Sequence, residues 1–382
     1  MKKVITTVGT SIFSNNLEGD DWKLLERLKN SSATEKWNEK EERIEELRDA
    51  TWKIIKKSKD PKISAEIQSL DKIQKRLKEE VEIHLLATDT ILSRLAAELI
   101  QRWLNENLPE TNVKFSSQPN TDVIKGLQVQ SLHLFRTEGF PNLIKRVRKL
   151  ANDGNYWGDI VFNLTGGFKG IIPIMTTIAQ VEGVQCFYIF QEESENNPDL
   201  IEIPPVPLEV KTDVFVKYFF DFKKITSDLH PRDSFSSDFL SDPEVQKLVF
   251  EEDGFLYLND FCVILWEKFI SDHFVYFTSD DIQKEISMQP NIQRILSNKL
   301  CYEEIRHGSS VEVKSSHRHV FDDGKNGNRI YFFEEYGRTY IYKTFDTNHD
   351  AHEKYLSKIT FDNSLKEEIV KRSEFRIIKI AR

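Results

Sequence analysis

Two groups of residues in this 382-residue chain have the types and spacing to do chemistry. The first is Asp159-Ile-Val-Phe-Asn-Leu-Thr-Gly-Gly-Phe-Lys169. Its apolar run reads as a buried parallel strand that ends in Asn163 and Thr165, turns through Gly166 and Gly167, and resumes as an apolar helix. Such a turn aims bare backbone N–H groups and the positive end of a helix dipole beyond the sheet. Lys169 adds a mobile cation. The ligand suited to this turn is an anion, most often a phosphate. The second group lies near the C-terminus, in Lys314-Ser-Ser-His317-Arg318-His319, Arg329, Lys343, His349, His352 and Tyr355. Five of the nine histidines follow residue 300, and residues 291–382 hold 17 Lys and Arg against 14 Asp and Glu. Residues 205–290 hold 8 against 17, so the acidic middle and the basic end are chemically distinct.

The elements that position the first group follow an alternating pattern. Strands are expected at Val4–Val8, Val81–Ala87, Val113–Phe115, Ile160–Leu164 and Gln185–Phe190, and helices at about Thr90–Asn107 and Asn142–Asn152. Alternation of this kind predicts a parallel sheet in an α/β doubly wound fold, with ligands beyond the strand C-termini. The turns Gly9-Thr10-Ser11, Thr88-Asp89-Thr90 and Thr165-Gly166-Gly167 then line one site. Residues 35–80 interrupt the pattern as a densely charged helical hairpin turning near Asp60-Pro61, expected as a solvated arm. The linker Ile203-Pro-Pro-Val-Pro207 opens a middle module of short helices at Asp213–Phe220, Pro243–Glu251, Tyr257–Phe269 and Asp280–Ser287, with a strand at Phe274–Phe277. That content suggests a winged-helix-like module. Its net charge disfavours DNA, whose binding needs phosphate neutralisation. From Val311 an antiparallel meander is expected, at Val311–Lys314, Arg329–Glu334 and Thr339–Phe345, then a helix from Ala351 and a strand at Arg376–Ala381. No apolar run reaches the roughly 18 residues that span a membrane. Cys186, Cys262 and Cys301 lack metal-ligand spacing, and the expected location is the cytoplasm.

Thr7-Val-Gly-Thr-Ser11, Gly126-Leu-Gln-Val129 and Asn163-Leu-Thr-Gly-Gly-Phe-Lys169 together resemble the CRISPR-associated Rossmann-fold (CARF) sensor domains, over residues 1–203. The resemblance implies a cyclic oligoadenylate bound across a homodimer. A cyclic tetra-adenylate has two-fold symmetry, as an isologous dimer does. The expected ligand-binding set is Gly9, Thr10, Ser11, Thr88, Asp89, Thr90, Gln128, Asn163, Thr165, Gly166, Gly167 and Lys169; a helix N-cap explains Asp89 equally well.

The C-terminal order is a basic strand end, Gly327-Asn-Arg329-Ile on a strand, Tyr340-Ile-Tyr-Lys343-Thr-Phe345, then His349-Asp-Ala-His352-Glu-Lys-Tyr355. It resembles the RelE family of mRNA interferases, over about residues 300–382. The resemblance implies cleavage of mRNA in the ribosomal A site without metal or cofactor. The 2′-hydroxyl attacks the adjacent phosphate and leaves a 2′,3′-cyclic phosphate and a 5′-hydroxyl. Such a reaction needs cations for the developing charge and an acid and a base. Arg329 and Lys343 would hold the phosphate, Lys314 and Arg318 would flank it, and His349, His352 or Tyr355 would move protons, with His317 and His319 as alternatives. A strand running on past Lys314 would put Lys314 and Arg318 on one face.

The expected architecture is therefore a Rossmann-like α/β sensor at 1–203 with its insertion, a winged-helix-like module at 204–295 and a small α+β RelE-like domain at 296–382, with cyclic oligoadenylate, ribosome and mRNA as partners. Two other readings compete. Glu312-Val-Lys314 is half of a restriction-type nuclease motif, which needs a second acid such as Asp280 or Asp281 to hold Mg2+. A ligand-controlled DNA-binding regulator is the other. A HEPN ribonuclease is excluded, because no Arg is followed by His at the required four-to-six-residue spacing.

Overall fold

A computed structural model describes residues 1–108, 111–118, 121–128, 130–151, 157–189, 198–314, 317–322, 324, 327–346 and 349–381. The chain divides into two compact units, Met1–Trp266 and Glu267–Arg382.

The first unit is built on a mostly parallel sheet. Its strands are β1 (Lys2–Val8), β2 (Val81–Thr88), β3 (Asn112–Lys114), β4 (Val123–Ile124), β5 (Ile160–Asn163), β6 (Gln185–Ile189) and β7 (Leu200–Ile203). They lie in the order β3-β2-β1-β5-β6-β7, with β4 paired to the end of β2. Only β7 is antiparallel. The central strands β1, β2, β5 and β6 are largely buried on both sides and mostly apolar, as parallel strands are. One face packs against the helices Gly19–Leu28, Glu41–Ile55, Ala65–Leu77 and Ile91–Asn107, the other against Phe140–Leu150 and Ile172–Glu182. The α/β expectation for this region is met, and the expected strand and helix positions agree within a few residues.

The insertion is not the solvated arm expected of it. Ile44, Leu47, Trp52, Ile55, Ile67, Leu70 and Ile73 are buried in the same core as Val4, Val8 and Leu95. Apart from the buried Glu66, its charges lie mostly toward solvent, and the apolar face of each helix supplies much of one layer. Burial of such side chains is worth roughly 1.5–3 kcal/mol each, which is why this segment is a layer and not an arm.

Beyond the linker, Phe215, Phe219, Phe222, Phe235, Phe239 and Trp266 form an aromatic cluster, with Phe215 and Phe222 at 4.9 Å and Phe222 stacked on Trp266 at 5.7 Å. A hairpin stands where helix ends were expected: β8 (Val249–Glu252) pairs antiparallel with β9 (Phe255–Leu258). Asp253 and Gly254 turn it with φ of 53° and 79°. Asp-Gly between alternating residues is a type I′ hairpin signal, and it overrides the helical spacing read across it.

The second unit carries the sheet β11-β12-β13-β14-β10-β15, made of β10 (His273–Thr278), β11 (Val311–Lys314), β12 (His317–Asp322), β13 (Arg329–Glu335), β14 (Arg338–Phe345) and β15 (Glu374–Lys379). Strand β10 was expected in the middle module. It lies instead inside this sheet, parallel to β14 and antiparallel to β15. The helix Asp280–Met288, also expected there, packs Ile286 into this unit's core. The α+β unit therefore starts well before residue 296. Lys314 pairs with His317, so the chain reverses between them. The continuous strand that was to give Lys314 and Arg318 a common face does not exist. Among the described residues no helix is long and apolar enough to cross a membrane.

Candidate functional site

The carboxyl ends of β1, β2 and β5 carry the three expected turns in the first unit. A cavity of about 200 Å³ opens there, and Gly9, Thr10, Thr88, Thr90, Gln128 and Gly167 of the expected set line it. The turns after β1 and β5 touch. A Cβ added at Gly9 would fall 2.8 Å from the Gly167 amide nitrogen, and one at Gly167 would fall 2.9 Å from the Thr7 side chain. Gly167 also has φ of 99°, so glycine is needed on both counts. The Thr7 hydroxyl donates to the Gly166 carbonyl at 2.6 Å and locks the turns together.

Several expected residues build the site without facing its cavity. The Asp89 carboxylate is buried and accepts from the Thr34 N–H and hydroxyl at 2.9 Å each, from Ser32 at 3.2 Å and from the Gly126 N–H at 3.1 Å. It anchors the Gly126 loop. The buried Asn163 amide donates to Ser69 at 2.7 Å, while the Thr165 hydroxyl accepts from the Ile189 N–H at 3.0 Å. Thr90 does both, lining the cavity and capping the helix Ile91–Asn107. Lys169 opens a 3₁₀ turn ahead of Ile172–Glu182 and is exposed.

Gln128 differs from these. It lines the cavity, is only 8% exposed, and its side-chain amide makes no hydrogen bond among the described residues. The amide opens on the cavity, where water or a ligand can pair with it.

Glu66 went unnoticed in the sequence. It is 0% exposed and lies at the second position of the helix Ala65–Leu77. Its carboxylate accepts from the Gly9 N–H at 2.8 Å and from the Ser11 and Ser64 hydroxyls at 2.5 Å each. A Cβ at Gly166 would collide with it. Ser64-Ala-Glu66 before an apolar helix is a readable capping pattern, but nothing local indicates that it docks on a turn some 55 residues earlier. Ser93 was read as an ordinary helix residue. It accepts from the Thr88 N–H at 3.0 Å and donates to the Val8 carbonyl at 2.8 Å, and so pins β1 to β2 at the cavity floor.

In the second unit, four of the expected residues converge on Phe345 and Tyr331. The His352 ring lies 5.3 Å and the Tyr355 ring 5.5 Å from Phe345, and the Lys343 ammonium is 5.4 Å from the same ring. Arg329 pairs with Phe345 in the β13–β14 register. Tyr331 hydrogen-bonds His352 Nε2 at 2.7 Å. Burial pushes the Tyr331 phenol up and raises Tyr355 to about 12. On the other side of the ring, His352 Nδ1 lies 3.5 Å from the Glu353 carboxylate. His352 is buried.

Both cations are engaged by carboxylates. Arg329 meets Asp322 at 2.9 Å, and Lys343 meets both oxygens of Glu285, the nearer at 2.8 Å. The side chains of Lys314, His317, Arg318 and His349 lie outside the described residues. The acids of the metal-nuclease reading do not converge. Glu312 lies on the edge strand β11 and Asp280 follows β10, four strand spacings away, about 19 Å. Asp280 meets Arg376 at 2.5 Å and Asp281 meets Arg372 at 3.7 Å.

The sequence of residues 61–206 matches the model of a protein family described as CRISPR-associated protein (Cas_APE2256). The matched span contains Glu66, the Thr88–Thr90 turn, Gln128 and the Gly166-Gly167 turn. The match supports an association of this chain with CRISPR systems.

Proposed function

We propose that the chain is a type III CRISPR ancillary effector in which a cyclic oligoadenylate, best matched by cyclic tetra-adenylate, binds the first unit as a homodimer and switches on a RelE-type mRNA interferase in the second. The observation that carries the sensor reading is the cavity at the strand C-termini, with touching glycine turns on one side and the unpartnered Gln128 amide on the other. Glycine turns suit phosphates, and a Gln amide offers the donor and acceptor that an adenine edge requires. The CRISPR-associated family match over the same residues supports it.

For the effector, the cluster around Tyr331 supplies the chemical groups of metal-independent RNA cleavage. The 2′-hydroxyl attacks its own 3′-phosphate, its proton passes to a base, and the departing O5′ takes a proton from an acid. Arg329 and Lys343 stabilise the phosphorane, with Lys314 and Arg318 at its edge. Tyr355 stays protonated at neutral pH, because burial raises it to about 12, so it gives a proton and does not take one. The base is His349 or His352. The substrate phosphate takes the place of Asp322 and Glu285 on the two cations.

Toeprinting on programmed ribosomes tests this. Cleavage within the A-site codon is expected only when cyclic tetra-adenylate is present. Equal cutting of naked DNA overturns the reading.

A further inference from the structure

The seat that the glycine turns build is already filled. The Gly9 N–H and the hydroxyls of Ser11 and Ser64 are the donors that a phosphate oxygen would use, and all three point at the Glu66 carboxylate at 2.8, 2.5 and 2.5 Å. The carboxylate also sits at the N-terminal end of a 13-residue helix, where negative charge is favoured. Its seat adjoins the cavity, since Gly9 both donates to it and lines that cavity.

We infer that Glu66 is an internal anion that occupies the phosphate seat of the empty sensor and has to be turned out, or repelled, by any anion that enters; this rests on the ligand-binding reading above. Two negative charges a few ångström apart in a desolvated turn disfavour each other strongly. That opposition is the same for every anion. A mononucleotide has few other contacts with which to overcome it, whereas a ring of several phosphates spreads it over many. Glu66 therefore acts as a specificity-determining residue that selects against single phosphates. Displacing it also releases Ser11, whose hydroxyl accepts from the Ala65 N–H at 3.0 Å, and so loosens the insertion helix from the turn after β1.

Calorimetric titration of the full-length chain with cyclic tetra-adenylate and, separately, adenosine monophosphate tests this, with melting temperatures alongside. Glu66→Gln keeps the shape and removes the charge. It is expected to bind cyclic tetra-adenylate at least about tenfold more tightly than wild type and to gain measurable binding of the mononucleotide. Glu66→Ala, which empties the seat and keeps all three donors, is expected to move both affinities the same way, and it decides the matter if Glu66→Gln does not fold. Unchanged or weaker binding in a variant that melts like wild type overturns the inference, because a purely structural strut predicts that result. If the variants gain mononucleotide binding while no form binds cyclic tetra-adenylate, the ligand reading falls and the role of Glu66 stands.

Discussion

Gln128 lines the cavity, Glu66 adjoins it through Gly9, and the two face opposite problems. The Glu66 carboxylate accepts three hydrogen bonds, and the Gln128 amide has no partner among the described residues. A site with one unmet need and one surplus charge is shaped for a ligand that brings a base edge and an anion together. Replacing Gln128 with Leu keeps the volume and removes the base-reading amide. The affinity for cyclic tetra-adenylate is expected to fall about tenfold with the melting temperature unchanged, because the amide makes no hydrogen bond among the described residues. Titration of the variant beside wild type measures this, and an unaltered affinity removes Gln128 from the site. The glycines were legible because only glycine survives that close an approach. Glu66, Ser93 and the inward turn of Asp89 were not, since a side chain's partners across the fold leave no mark on its neighbours in sequence.

At the scale of elements, the acidic helix Asp280–Met288 is a counter-charge to the basic strands it accompanies. Asp280, Asp281 and Glu285 meet Arg376, Arg372 and Lys343 in turn. The charge difference between residues 205–290 and 291–382 is thus partly settled within the second unit, by pairs no longer than 3.7 Å. If Lys343 holds the scissile phosphate, Glu285 competes with RNA for it. Glu285→Gln is expected to raise ribosome-dependent cleavage about threefold to tenfold and to flatten its dependence on salt, since screening already weakens the pair in the wild type. A rate equal to wild type assigns Lys343 to the surface alone. Strands β1, β2, β5 and β6 were legible because apolar runs between glycine turns leave little choice of element. The helical insertion was legible as helices, but its burial was not, because an amphipathic pattern reports which face is apolar and not whether anything covers it. Strand β10 was assigned to the wrong module for a related reason: its partners β14 and β15 lie roughly 60 and 100 residues later, and pairing across that distance cannot be read locally.

For the whole molecule, two units with separate cores predict two events on heating. All the cavity residues belong to the first unit. Cyclic tetra-adenylate at a hundred times its dissociation constant is therefore expected to stabilise the first unit by about 2.7 kcal/mol. Differential scanning calorimetry of the full chain should show the corresponding transition move upwards. A shift of equal size in the transition of Glu267–Arg382 would mean that the two unfold together, and no shift in either would remove the ligand.

The buried insertion also bears on how such a sensor could have arisen and how it could be re-engineered. A phosphate-binding turn on a parallel sheet is usually self-sufficient, and loops around it come and go. Here Ser64 and Glu66 reach the first turn, and Ser69 reaches Asn163 beneath the second. A shortened descendant that lost residues 35–80 would lose a wall of its core and the contents of its own binding turn in one event. The segment is therefore inherited with the site or not at all, and grafting the turns alone onto a plain Rossmann scaffold would transplant a lock without its wards.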